Sequence, residues 1–187
     1  MDLVFREART HRHWLDREVS DVLLEAIYDL AKMGPTSANC SPLRVVYLRS
    51  PEAKKRLEPL LDKGNVDKTM SAPVTAIVAY DSAFHDQMAR LNPRVDAQAW
   101  FGGKEDLIFE TAFRNGSLQG GYFVMAARAL GLDCGPMSGF DNDAVDREFL
   151  AGSGWKSNFL CNLGYGDHEK LRSRLERLPF DDVCRIE

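Results

Sequence analysis

Residues 104–130 constrain this chain more than any other stretch. Leu107, Ile108, Ala112, Phe113, Leu118, Tyr122, Phe123, Met125, Ala126 and Leu130 form its longest helical pattern, which Gly131 ends. Apolar positions cover most of the circumference. Such a helix is either the centre of a core or a surface buried against another subunit. Gly116, Gly120 and Gly121 interrupt it, and each costs roughly 1 kcal/mol of helix propensity relative to alanine. Close backbone packing is the compensation this pattern implies.

The flanking segments alternate irregularly between helical and strand patterns. Ser20 and Asp21 open a helix through Ala31 that stops at Gly34, and Ser50-Pro51 opens another through about Leu61. Asp141 or Asn142 caps a third helix that reaches about Leu150. Leu43–Arg49, Val74–Tyr80 and Ser157–Gly164 read as strands, the second apolar enough to be buried on both faces. Cys134–Phe140 reads as a tight turn. Residues 81–103 show no clear period and read as a mobile excursion, a lid over the rest. These elements predict an α+β or mixed α/β fold in a single domain spanning 1–187.

The chain has 187 residues and a net charge of -4, which argues against a nucleic-acid or anionic-membrane surface as its main partner. An anion site would have to be local. No basic segment followed by an apolar core opens the chain, and no apolar run approaches membrane-spanning length. Cys40, Cys134, Cys161 and Cys184 are widely spaced, so reduced thiols in a cytoplasmic protein are expected. The GxGxxG, Walker and Gly-x-Ser-x-Gly patterns are all missing. His11-x-His13 could begin a metal site, but His85 and His168 lie in unrelated segments, so no metal is expected. No acid–base constellation stands out and no catalytic side chain is assigned. Enzymatic chemistry here would belong to a cofactor.

The run Gly34-Pro35-Thr36-Ser37-Ala38-Asn39-Cys40-Ser41-Pro42 packs hydroxyls and an amide between two prolines, side chains suited to a flat polar ligand. Arg9-Thr10-His11-Arg12 near one end, and Arg174 and Arg177 near the other, offer forks that match phosphate oxygens; in isolation they would read as a solvated face. Asn65 and Lys68, three residues apart, could meet one ligand edge or could be a plain exposed turn. Gly139 lets a backbone N–H approach a ring, or is an ordinary turn glycine.

Together these residues resemble the FMN-dependent nitroreductase family. Arg9-Thr10-His11-Arg12-His13-Trp14 resembles its Arg-Ser-x-Arg/Lys-x-Phe opening, and Pro35-Thr36-Ser37-Ala38-Asn39 its Pro-Ser-Ser-x-Asn loop. Asn65 with Lys68, Gly135–Phe140, Leu163-Gly164-Tyr165 and Arg177-Leu178-Pro179 follow in the family's order. The runs Gly34–Pro42, Glu110–Asn115 and Gly135–Asp141 resemble the branch of malonic semialdehyde reductases of pyrimidine degradation. A glutamine and an aromatic that many members carry near Ser41 and Leu43 are lacking.

The resemblance implies a homodimer with FMN at the subunit interface, a central mixed sheet flanked by helices, and helix 104–130 at the dimer contact. Arg9, Thr10, Arg12, Arg174 and Arg177 would hold the FMN phosphate. Asn65 and Lys68 would face the flavin's pyrimidine edge, and Pro136, Ser138 and Gly139 would line its ring, the last two near N5. Pro35, Thr36, Ser37 and Asn39 would reach the flavin of the other subunit, and Trp100 and Phe101 would wall the small-molecule substrate. NADH or NADPH would be the hydride donor, and the final acceptor would be malonic semialdehyde, a nitro compound or a quinone. A protein that stores FMN without turnover, or a dimer with no ligand, is the alternative.

Overall fold

Apolar residues alternate along 74–81, and that alternation divides the molecule into layers. Val74, Ala76 and Val78 face one hydrophobic cluster, while Ile77 and Ala79 face another. In the computed structural model, which describes Met1–Glu187, this stretch is the second strand of a four-stranded sheet. The strands are β1 (Leu43–Leu48), β2 (Val74–Asp81), β3 (Asp133–Met137) and β4 (Trp155–Gly164), in the order β1-β2-β4-β3. All three ladders are antiparallel, and β2 is buried along its whole length, as its composition predicts. One parallel bridge, Thr10↔Cys134, lays the N-terminal segment along the edge and is the only mixed feature of the sheet.

Seven helices surround the sheet: α1 (Asp21–Ala31), α2 (Pro51–Leu57), α3 (Val66–Met70), α4 (Met88–Leu91), α5 (Glu105–Ala129), α6 (Asn142–Phe149) and α7 (Phe180–Val183). Ser20, Ser50 and Asp141 cap α1, α2 and α6 by accepting backbone N–H bonds, as the sequence predicts. The helix opened by Ser50 stops at Leu57 and tightens into a 3₁₀ turn over Glu58–Leu60.

α1 and α5 cover one face of the sheet through Leu24, Ile27, Phe123, Ala126 and Ala127. Leu57 and Val145, from α2 and α6, cover the other. Two of the three glycines of α5 explain themselves inside the protomer. A Cβ on Gly116 would press on Tyr80 at 2.8 Å, and one on Gly120 on the Phe159 ring at 2.7 Å, whereas Gly121 faces open space. The close packing that offsets their poor propensity is therefore helix on sheet. The opposite side of α5 leaves Leu107, Phe109, Phe113 and Leu118 exposed.

Two segments differ from expectation. Residues 133–137, read as part of a turn, form the edge strand β3; Pro136 is tolerated there because an edge strand has one unpaired side. The turn is confined to Ser138-Gly139 before Phe140. Residues 81–103 contain α4 and 3₁₀ turns at Phe84–Gln87 and Gln98–Trp100. Phe84, Met88, Ala97 and Phe101 bury themselves there against Tyr80, Cys40 and Ala112. The period was illegible because each helical piece is four residues or shorter.

Candidate functional site

The N-terminal segment is fixed by its neighbours' backbone. His11 N–H donates to Cys134 O at 3.0 Å, Leu15 N–H to Tyr165 O at 2.8 Å, and Asp167 N–H to His13 O at 2.9 Å. These bonds hold Arg9, Thr10 and Arg12 beside the start of the C-terminal tail. Arg174 donates to Arg6 O at 2.8 Å and Ala8 O at 2.6 Å, and Arg9 donates to Arg172 O. A cavity of about 330 Å³ results, lined by Arg9, Thr10, Arg12, Arg174 and Arg177 together with Arg128, Lys170 and Arg172. Its only carboxylate is Asp167, which pairs with Lys170 at 3.0 Å. In a chain of net charge -4 this is a strongly cationic pocket. Arg128, which no sequence motif marks, sits in the last turn of α5; its Nε is buried with no hydrogen-bond partner. The one available signal was a guanidinium in the last turn of that helix.

Arg12 links this cavity to a second group. Its guanidinium reaches Gly64 O at 3.5 Å, just before α3, which carries Lys68. Burial, and then the neighbouring Arg12 charge, pull the Lys68 ammonium below the ordinary lysine range. The Lys68 carbonyl accepts from Trp14 Nε1 at 2.9 Å and from Asn162 Nδ2 at 3.1 Å. Lys54, 4% exposed and pulled down to about 8 by burial, donates to Thr69 O at 2.7 Å and to Ala72 O, which ties down the end of α3.

Asn65 meets the other glycine-bearing turn directly. Its Nδ2 donates to Gly139 O at 2.6 Å, and Asp62 N–H donates to the same oxygen at 3.0 Å. A Cβ on Gly139 would collide with Asn65 Nδ2, so only glycine fits. Asn65, Lys68, Gly139 and the exposed Ser138 thus extend from the cationic cavity, while Pro136 stays in β3 opposite Cys161.

The loop after α1 stands apart from this group in a single chain. Ala38, Asn39 and Ser41 all have positive φ (50°, 60° and 40°), a conformation that non-glycine residues rarely adopt. Ser37 N–H donates to Asn115 Oδ1 at 2.8 Å, Ser41 N–H to Thr36 Oγ1 at 3.1 Å, and Asn39 Nδ2 to Leu91 O at 2.7 Å. Pro35, Ser37 and Asn39 remain exposed and none of the loop lines the cationic cavity. Trp100 is exposed, whereas Phe101 is buried with Phe84, their rings edge to face at 5.0 Å; of the pair only Trp100 offers surface to a substrate.

Residues 5–165 match the nitroreductase family model. A protein of Stutzerimonas stutzeri named "Putative NADH dehydrogenase/NAD(P)H nitroreductase" is 58% identical over 97% of this chain and 92% of its own length. A Burkholderia lata protein of the same name is 58% identical over 100% of this chain and 96% of its own. Among solved structures, a Bacillus subtilis protein described as a "putative nitroreductase" superposes with a TM-score of 0.90 at 21% identity, covering 98% of this chain and 97% of that one. An Exiguobacterium sibiricum protein described as a "putative nitroreductase in complex with FMN" gives 0.87 at 21% identity, covering 100% and 96%. No helix is long and apolar enough to cross a membrane.

Proposed function

This chain belongs to the nitroreductase family, and from that premise we propose that it is an FMN-dependent NAD(P)H oxidoreductase that works as a homodimer. The observation that carries the reading is the cationic cavity joined through Arg12 to Lys68 and the Asn65–Gly139 pair. Its donor set suits an anion with a polar heterocycle attached. The buried, unpartnered Arg128 Nε adds a donor still lacking an acceptor.

In this reading Arg9, Thr10, Arg12, Arg174 and Arg177 hold the phosphate, and arginine forks give it orientation as well as charge. When bound, FMN supplies the two-electron chemistry, accepting a hydride from NADH or NADPH and delivering it to an oxidised substrate. Asn65 holds the pyrimidine edge by hydrogen bonding. The Lys68 ammonium stabilises negative charge that develops beside it, more strongly because burial has thinned its hydration. Ser138 is exposed beside the reacting face, and the bare backbone of Gly139 admits the Asn65 amide that sets that edge. No side chain is assigned a proton transfer.

A second copy of the chain completes the site. Exposed Phe109 and Phe113 of α5, and exposed Leu175, Leu178 and Phe180 of the tail, are apolar side chains that a partner would cover. Pro35, Thr36, Ser37 and Asn39 then serve the partner's flavin, and Trp100 borders the substrate. Nitro groups, quinones and activated alkenes take a flavin hydride more readily than an isolated carbonyl does. Malonic semialdehyde, which would give 3-hydroxypropionate, is the most specific of the candidate acceptors.

Purified protein mixed anaerobically with FMN should run as a yellow dimer and bleach on addition of NADH or NADPH. Retained flavin whose absorbance does not change would favour a storage protein. Acceptors offered in single turnovers to the pre-reduced protein then rank the substrate classes, malonic semialdehyde among them.

A further inference from the structure

In the wall of the cationic cavity lies a group that the flavin reading does not use. His11 is 1% exposed, and neither of its ring nitrogens makes an aligned hydrogen bond. The Nδ1 edge packs on Gly166, where any Cβ would overlap the ring. The Nε2 edge faces Asp133, with Oδ1 3.2 Å away but off the N–H direction. From the other side His168 Nε2 approaches Asp133 Oδ2 at 3.4 Å. One ligand atom from each residue falls within a 4.8 Å cluster.

We propose that His11, Asp133 and His168 form a binding site for a zinc-class divalent ion, one that joins the N-terminal segment to the start of the C-terminal tail. The chemistry of the set is two imidazoles and a carboxylate with an open fourth position, which suits Zn²⁺ better than the oxygen-seeking Mg²⁺ or Ca²⁺. The spacing suits it too. Two ligands each about 2.0–2.1 Å from a tetrahedral zinc lie roughly 3.3 Å from one another, close to the 3.2 Å between His11 Nε2 and Asp133 Oδ1, whereas His168 approaches the other carboxylate oxygen. The His–His span closes by rotation of His168, whose side chain is 70% exposed.

The backbone preorganises the set. His11 N–H bonds Cys134 O at 3.0 Å, one residue from Asp133, and Gly166 N–H holds Asp133 Oδ2 at 2.9 Å, two residues before His168. An ion here also gives the His11 ring the partner it lacks. It would pin the tail just before Arg174 and Arg177, so the two arms of the cationic cavity would share one anchor.

The test needs no flavin turnover. Tag-free protein is stripped with a chelator, exposed to zinc chloride, desalted and assayed for bound zinc and for Tm. We expect about one zinc per chain after desalting and, when zinc is added back to about one hundred times Kd, a Tm rise of roughly 5 °C or more. His168→Ala, which changes an exposed side chain, should lose both effects, and His168→Cys should restore zinc retention. Failure of the wild type to retain zinc overturns the site. So does equal retention by His168→Ala, which would place the ion on another histidine.

Discussion

The loop at 35–41 and the cationic cavity are both assigned to the same cofactor, but they are held in opposite ways. Three consecutive-neighbourhood residues of the loop adopt positive φ, and its polar groups are largely engaged within the protomer: Thr36 Oγ1 with Ser41 N–H, Ser37 N–H with Asn115, and Asn39 with Leu91 O. It is finished before any ligand arrives. The cavity is the reverse. Its arginines bond backbone carbonyls, which leave their charge in place, and Arg128 Nε has no acceptor at all. Strain sustained by internal bonds marks a preshaped surface, whereas accumulated like charge marks a site that only an anion discharges.

Removing charge from the cavity should therefore give the largest effect, and it should fall on the ligand. Arg9→Ala combined with Arg12→Ala deletes two forks, each worth about 1.5–3 kcal/mol when bonded to an ionised group. FMN affinity measured by fluorescence quenching should drop by about a hundredfold or more. The Tm of flavin-free protein should move by less than about 2 °C, because loss of repulsion offsets loss of the Arg9–Arg172 bond. A large fall in Tm with unchanged flavin binding would invert the contrast.

Breaking the loop should do the opposite. Asn115 is 5% exposed; it accepts from Ser37 N–H and donates to Thr111 O at 2.8 Å. Asn115→Leu keeps the volume but strands the Ser37 N–H, at a cost of about 1–3 kcal/mol. The melting temperature should fall by roughly 3–9 °C. FMN affinity of the surviving dimer should change less than about fivefold. If instead flavin binding collapses while Tm holds, the loop is shaped by its ligand.

The same contrast explains what could be read from the sequence. The loop's composition announced a function, and the capped helices and strand 74–80 were visible because caps and an unbroken apolar run are local signals. β3 was hidden because Gly135 and Pro136 carry turn chemistry in a strand whose register comes from β4. The helical turns within 81–103 were hidden because their core is contributed by Tyr80, Cys40 and Ala112 from outside the segment. Gathering Arg9 with Arg174, or His11 with His168, takes pairing of two chain ends more than 150 residues apart, and no window of sequence contains it. Family resemblance supplied the first gathering and gave no hint of the second.

The smallest effect tests whether loop strain is real and separable from function. Ala38 sits at φ 50°, ψ 23°, between Ser37 and Asn39, and its side chain only partly packs on the cluster of Phe84 and Phe101. A left-handed conformation costs an L-residue about 1–2 kcal/mol, and glycine avoids that cost while losing roughly 0.5–1 kcal/mol to unfolded-state entropy. Ala38→Gly should therefore be neutral to stabilising by up to about 1 kcal/mol, a Tm rise of about 0–4 °C, with NADH-dependent turnover nearly unchanged. A clear loss of Tm would mean that the Ala38 methyl contributes more through packing than the backbone stores as strain. A gain in Tm accompanied by slower turnover would mean that the strained geometry serves the partner's site, because only then does relaxing it matter where no stability is lost.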